Sequence, residues 1–197
     1  MILIVGRPGL DAQDGLDRFA GRIAAAAAAA GGRVELVGSV GDDADGERVA
    51  LALGQARVGH AALLRDPAGA TPRAGGPGGP LPRLDESDVQ LGLSYLVDCR
   101  VLVLAEPVEE PVTQVVVDAA RYHGAQLVVL VESGQPPPVV LGEDATVLER
   151  PQSDEGAFAA LVGRYAVALA EGTEPAQAWQ SAVRGAGWEP VDVPASE

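Results

Sequence analysis

Four short apolar runs constrain the fold of this chain more than anything else in it: Ile2–Val5, Val101–Leu104 and residues 127–131, which are unbroken, and residues 34–37, broken only by Glu35. A strand with one wet face alternates apolar and polar side chains, so an unbroken run marks a strand covered on both faces, as in a parallel sheet. Helix-length segments separate the runs. Residues 17–30 carry an alanine tract and stop at Gly31-Gly32, residues 47–55 follow the carboxylates Asp42, Asp43 and Asp45, and residues 111–122 stop at Gly124. Alanine favours helix, carboxylates cap helix starts, and glycine ends helices. Weaker strands are expected at 61–64 and 146–148. A helix from Asp85-Glu86-Ser87-Asp88 is expected to run to about Leu96, and two more, at 155–170 and 175–186, are parted by Gly172. The order predicts an α/β fold of three layers: a mainly parallel, Rossmann-like sheet with helices on both faces, reached by right-handed crossovers. Residues 1–188 read as one domain and 189–197 as a loosely held tail. Residues 66–82, with Gly75-Gly76-Pro77-Gly78-Gly79-Pro80, read as an exposed, mobile loop, because proline removes backbone donors and glycine raises the entropy cost of ordering.

Composition narrows the chemistry. Aromatic residues make up only 4%, so the core must be built from Val, Leu and Ala. The formal charge of −14 repels phosphate backbones and anionic membranes, which excludes nucleic acid and membrane surfaces as expected partners. All 14 basic residues are arginine, so no lysine nucleophile, Schiff base or lysine-bearing phosphate loop is available. Cys99 is the single cysteine, which rules out an intramolecular disulfide and a cysteine-rich metal site. The chain opens directly on a strand-like Met1-Ile2-Leu3-Ile4-Val5, and the apolar stretch 23–30 is too short to span a bilayer; the expected location is the cytoplasm.

The stretch Gly32-Arg33-Val34-Glu35-Leu36-Val37-Gly38-Ser39-Val40-Gly41-Asp42-Asp43-Ala44-Asp45-Gly46-Glu47 resembles the strand, turn and helix start of the ribokinase-like (PfkB-type) carbohydrate and nucleoside kinases. In the same order come Gly6 and Asp11 after the first strand, residues 84–89 before a helix, Glu106-Pro107, and Ala168-Leu169-Ala170-Glu171-Gly172. The resemblance covers most of the chain and implies a shortened member. That family activates its phosphoryl acceptor with an Asp closing a Gly-Ala-Gly-Asp motif, whose backbone N–H groups hold the transferring phosphate. One alignment sets Gly156-Ala157-Phe158-Ala159 over this motif, replacing the base by Ala159. Another sets residues 151–155 over the family's Asn-x-x-Glu, leaving Gln152 and Glu155 as remnants of its magnesium and phosphate site. Either alignment removes the catalytic Asp. The resemblance makes Asp11 the substrate-binding Asp, but only five residues separate it from Asp17, where the family carries its lid, so the lid is expected to be absent. Asp17, Arg18 and Arg22 stand at the family's Gly-Gly and Asn.

No residue is therefore assigned a catalytic role. Asp11, Arg7 and Glu106 are the candidate ligand-binding residues; Gln152, Glu155, Gly156 and Ala157 are degenerate anion-hole or metal-motif positions. Asp11 as a turn cap and Arg7 as a plain surface arginine are the competing readings, and Asp42, Asp43 and Asp45 read as caps. His60 and His123 lack zinc spacing, so no metal is expected. Trp179 and Trp188 read as packing residues. The leading functional expectation is a non-catalytic protein that binds a small polar ligand or a protein partner in a regulatory role. The alternatives are an active sugar or nucleoside kinase using Asp154 or Glu155 as a displaced base, and a scaffold with a filled cleft. ATP and magnesium belong only to the kinase alternative. A homodimer is expected, because apolar faces and a sheet edge left by a missing lid need cover, with Arg22, Arg121 or Arg164 at the rim.

Overall fold

The computed structural model describes residues 1–142 and 145–185. The expected tail at 189–197 and Trp188 lie outside the described residues. In chain order the elements are β1 (Ile2–Val5), β2 (Gly9–Leu10), β3 (Leu16–Asp17), α1 (Arg18–Ala29), β4 (Val34–Gly41), α2 (Ala44–Gln55), β5 (Gly59–Asp66), α3 (Glu86–Ser94), β6 (Val101–Leu104), α4 (Glu110–His123), β7 (Gln126–Glu132), β8 (Ala145–Arg150), α5 (Glu155–Ala170) and α6 (Pro175–Gly185).

The main sheet has six strands in the order β5-β4-β1-β6-β7-β8, and every neighbouring pair is parallel. The unbroken apolar runs are its central strands, buried along their whole length in β1 and β6. Alternate side chains serve opposite layers. Ile2 and Ile4 join a cluster with Ile23, Leu161 and Tyr165 from α1 and α5, while Leu3 and Val5 join Val89, Val112 and Val116 from α3 and α4. This is the three-layer architecture that the sequence predicts.

The alanine tract has a packing role. A β carbon on Gly163 of α5 would lie 2.8 Å from the Ala27 amide nitrogen, so α1 and α5 approach nearly backbone to backbone, and Ala24 and Ala27 are fully buried between them and the sheet. Small residues on both helices permit this spacing.

Three expectations need correction, and one element is added. β4 continues four residues past Val37 to Gly41, because β5 pairs with it as far as Gly41↔Asp66. Gly38 makes that extension possible, since a β carbon there would collide with the carbonyl oxygen of Gly6, the residue after β1. α2 starts at Ala44, three residues early: Asp43 is the N-cap and accepts from the Gly46 N–H at 2.7 Å. The added element is a hairpin around Asp11, β2 paired antiparallel with β3. Finally, residues 66–82 are irregular but not uniformly exposed. Thr71 is buried, its hydroxyl donating to Asp43 Oδ1 at 2.7 Å and accepting from the Gly41 N–H at 2.9 Å. Ala74 N–H donates to the Leu10 carbonyl, and Leu10 N–H to the Pro72 carbonyl, so the loop lies along the hairpin as a third strand-like segment.

Candidate functional site

In an open α/β sheet, ligands bind outside the carboxyl ends of the strands where the strand order reverses. Here the chain builds outward from β1 through β4 to β5 and then returns to place β6 on the other side of β1, so the reversal lies between β1 and β6. Arg7 follows the end of β1 by two residues, and Glu106 does the same for β6. A pocket of about 100 Å³ opens there, lined by Arg7, Arg18, Glu106, Arg150 and Glu155, with Phe19 in its wall.

Glu106 organises the pocket. Its side chain is 8% exposed. Oε1 accepts from the Arg7 backbone N–H at 2.6 Å and from Arg7 Nη1 at 3.1 Å, and Oε2 accepts from Arg18 Nη2 at 3.0 Å. A buried carboxylate is tolerated when charged donors satisfy it, and both oxygens are satisfied here. Arg7 is held further by its Nε, which donates to the Pro82 carbonyl at 2.6 Å. Gly6 lets these groups converge: at φ +154°, a β carbon would meet Ala20 Cβ at 3.1 Å and Glu106 Oε1 at 3.5 Å.

Arg18 opens α1 with φ +59°, a left-handed conformation that costs a non-glycine residue about 1–2 kcal/mol. Its ion pair with Glu106 is among the contacts that hold it there. On the far side, Arg150 lies over the Phe19 ring at 4.9 Å, and Phe19 meets Phe158 edge-to-face at 5.9 Å. Glu155, at the start of α5, pairs with Arg22 Nη1 at 3.6 Å.

The sequence-derived candidates separate into two groups. Arg7, Glu106 and Glu155 come together at the pocket. Asp11 does not join them: its Oδ1 accepts from the Gln13 and Gly15 N–H groups at 2.8 Å each, so the carboxylate closes the hairpin turn. Gln152 is exposed between β8 and α5. Gly156 is exposed too, with nothing within 4 Å of where a β carbon would stand. The Ala157 N–H donates to Asp154 Oδ1 at 3.3 Å, so the chain supplies its own anion at this helix start. Phe158 and Ala159 are buried in the core. Arg18 and Arg150 are the site residues that sequence reasoning missed. The replacement of the family's glycine by Arg18 was a usable signal, read there only as a loss; nothing along the chain relates Arg150 to β1.

Elsewhere, Asp43 acts as a latch. Burial works against its charge, yet N–H and hydroxyl donation from Thr71 and N–H donation from Gly46 outweigh that and hold its carboxyl below the usual range. Arg73 bridges Asp45 Oδ1 at 3.0 Å and Asp14 Oδ1 at 2.5 Å, tying the same loop to α2 and to the hairpin turn. His60 Nδ1 lies 3.1 Å from the Val58 carbonyl, and His123 packs edge-on against Tyr122. Among the described residues no three His, Cys, Asp or Glu side chains are grouped to hold a metal ion, and no helix is long and apolar enough to cross a membrane.

No family model matches the sequence, and no curated protein does. Solved structures do. The structure of a protein named Sa239 superposes with a TM-score of 0.74 at 12% identity, covering 100% of this chain and 97% of that one. Phosphofructokinase-2 from Escherichia coli, in its tetrameric inhibited form, gives 0.68 at 16% identity, covering 94% and 92%. Ribokinase from Arabidopsis thaliana, complexed with ribose and ATP, gives 0.67 at 14% identity, covering 94% and 90%. At such identities the likeness is one of fold. The chain therefore has a six-stranded, parallel α/β fold that superposes on ribokinase and phosphofructokinase-2 structures.

Proposed function

We propose that this chain is a non-catalytic ribokinase-like protein that takes a small polar ligand in the crevice between the carboxyl ends of β1 and β6, with a regulatory consequence. The observation that carries the reading is the pocket in which Arg7 and Arg18 converge on the buried Glu106, with Arg150 across from them. Guanidinium groups fixed by a buried carboxylate are pre-organised hydrogen-bond donors, so little side-chain entropy is lost when a ligand accepts from them.

The non-catalytic part rests on side-chain chemistry and not on length, since the matched stretches span about nine-tenths of the ribokinase and phosphofructokinase-2 chains. Ala159 has no proton-accepting group. Asp154 and Glu155, the carboxylates nearest the same helix start, are engaged by the Ala157 N–H and by Arg22. Proton abstraction from a substrate hydroxyl needs an available base within hydrogen-bond reach.

Calorimetry with ATP and with ADP, each with magnesium, is expected to show no micromolar binding; micromolar affinity would overturn the non-catalytic reading. So would turnover in a coupled phosphoryl-transfer assay that disappears in Asp154→Ala or Glu155→Ala. Native mass spectrometry of freshly purified protein is expected to show a retained small molecule. A chain that retains none, and is shifted by no polar ligand added afterwards, is a scaffold.

A further inference from the structure

The two helical layers are finished differently. Over α5 lies α6, whose Ala178 and Ala182 join the core that α1 and α5 share with the sheet. Among the described residues no further helix packs over α3 and α4 in this way. Between these two runs a groove of about 660 Å³, with Leu93, Leu96, Val115 and Ala119 in its walls. Tyr95 and Tyr122 project at its far end, 76% and 87% exposed, where the chain leads into β6 and β7 and away from the crevice at the other ends of the strands. Tyrosine rings beside an apolar recess have the composition of an interface centre, since each ring brings a large contact area at small entropy cost.

From this we infer that the α3–α4 face is where two copies of this chain pair, across a twofold axis that sets α4 antiparallel to α4 of the second copy. Shape argues for a second copy over any other occupant. A twofold contact is self-complementary, so the projection and the recess that receives it must stand on one face, and here Tyr122 projects from a wall of the groove itself. Antiparallel packing lays residues late in one α4 over residues early in the other, which carries the Tyr122 ring of each copy toward Val115 and Ala119 of its partner. Charge argues the same way. Asp118 and Arg121, both exposed on α4, pair at 3.6 Å within one copy. The same packing brings Asp118 of each copy beside Arg121 of the other, so that charges of opposite sign alternate along the contact. Two chains of formal charge −14 repel over most of their surface and can meet only where charges cancel. Beyond Asp118 the groove's lining adds only Glu86, at the start of α3, and His123 as titratable side chains close to the tyrosines or the helices' ends, too little acid to hold a strongly basic partner. Extent is sufficient as well. A standard interface takes about 800 Å² from each partner, less than a tenth of the 10268 Å² that this chain exposes.

Sedimentation equilibrium of the full chain tests this. At micromolar concentration the wild type is expected to form a dimer that dissociates on dilution. Tyr122→Asp is expected to raise the dissociation constant at least about tenfold, because the twofold counts every substitution twice. Asp118→Arg and Arg121→Asp are each expected to weaken the dimer at least about tenfold by facing like charges, and the double exchange D118R/R121D to return it to within about threefold of wild type. Circular dichroism establishes that the variants are folded, as expected at exposed positions. Should Tyr122→Asp unfold the chain, Tyr95→Asp takes its place. A wild type that remains a 20 kDa monomer overturns the inference. So does a dimer indifferent to Tyr122→Asp and to both charge reversals, which pairs through another surface. Association that continues past two copies excludes a closed twofold contact, and a double exchange no stronger than the single reversals excludes the antiparallel pairing of α4.

Discussion

Replacing Glu106 by alanine tests whether the crevice is held together electrostatically. The carboxylate accepts three hydrogen bonds, two from Arg7 and one from Arg18, and is almost wholly buried. Removing it leaves two guanidinium groups facing each other across an empty site. Breaking a buried pair by deleting one partner costs about 3–5 kcal/mol. The side chains of Arg7 and Arg18 are 16% and 33% exposed, so water recovers part of their solvation, and the lower end, about 3 kcal/mol, is the appropriate figure. For a chain of this length that is a fall in Tm of about 6–12 °C. Glu106→Gln keeps an acceptor for the Arg7 N–H but no charge, and is expected to cost about half as much. Thermal and urea denaturation followed by circular dichroism measure both. Adding Arg18→Gln to Glu106→Ala is expected to cost less than the sum of the two single changes, because the orphaned charge disappears. Glu106→Ala within about 1 kcal/mol of wild type, or strict additivity in the double variant, would refute the argument.

Further outcomes follow from other parts of the molecule. Asp43→Asn is expected to cost about 1–2 kcal/mol near neutral pH: the amide oxygen can still cap α2, but the NH2 that replaces Oδ2 cannot accept from the Thr71 N–H. Because Asp43 has a lowered carboxyl pKa when folded, its contribution is present above the unfolded value near 4 and is lost as pH falls through the folded value, so denaturation curves of wild type and variant should converge in acid. Gly38→Ala, which drives a β carbon into the Gly6 carbonyl, is expected to destabilise by about 3 kcal/mol in the same denaturation assay. Burial pushes the Cys99 thiol up to about 11, so labelling by a thiol reagent at pH 8 should be slow in the native protein and fast in urea. For the homodimer over the α3–α4 face, where Tyr95, Val97 and Tyr122 stand exposed, sedimentation equilibrium showing only a 20 kDa species at micromolar concentration is the excluding result.

The fold was legible because its signals are local. An unbroken run such as Val101–Leu104 states that both faces of the strand are covered, and the alternation of such runs with capped helices leaves few ways to arrange them. What stayed hidden depends on approach between distant segments. The extension of β4 to Gly41 is not visible in Gly38-Ser39-Val40-Gly41, which reads as a turn. It becomes a strand because β5 pairs with it and because only glycine fits against β1. In the same way the run of Pro and Gly from 66 to 82 reads as loose. Thr71 is nonetheless drawn in by an acceptor, Asp43, 28 residues before it.

The candidate site divides along the same line. Arg7 and Glu106 could be singled out because each follows a recognisable strand, and in a parallel sheet such positions share one edge whatever the intervening chain does. Asp11 is singled out by the resemblance and by its place after the first strand, but its carboxylate closes the turn between Asp11 and Gly15. Arg18 carries only the signal of standing where the resemblance sets a glycine, and Arg150 carries none. One reaches the pocket through a left-handed residue at a helix start, the other through the last residue of the edge strand β8. A pocket assembled from four element ends has no motif, because each of its side chains is placed by packing and not by spacing. It is found by asking which charged side chains converge where the strand order reverses, and there Arg7 and Arg18 meet on the buried Glu106 with Arg150 across from them.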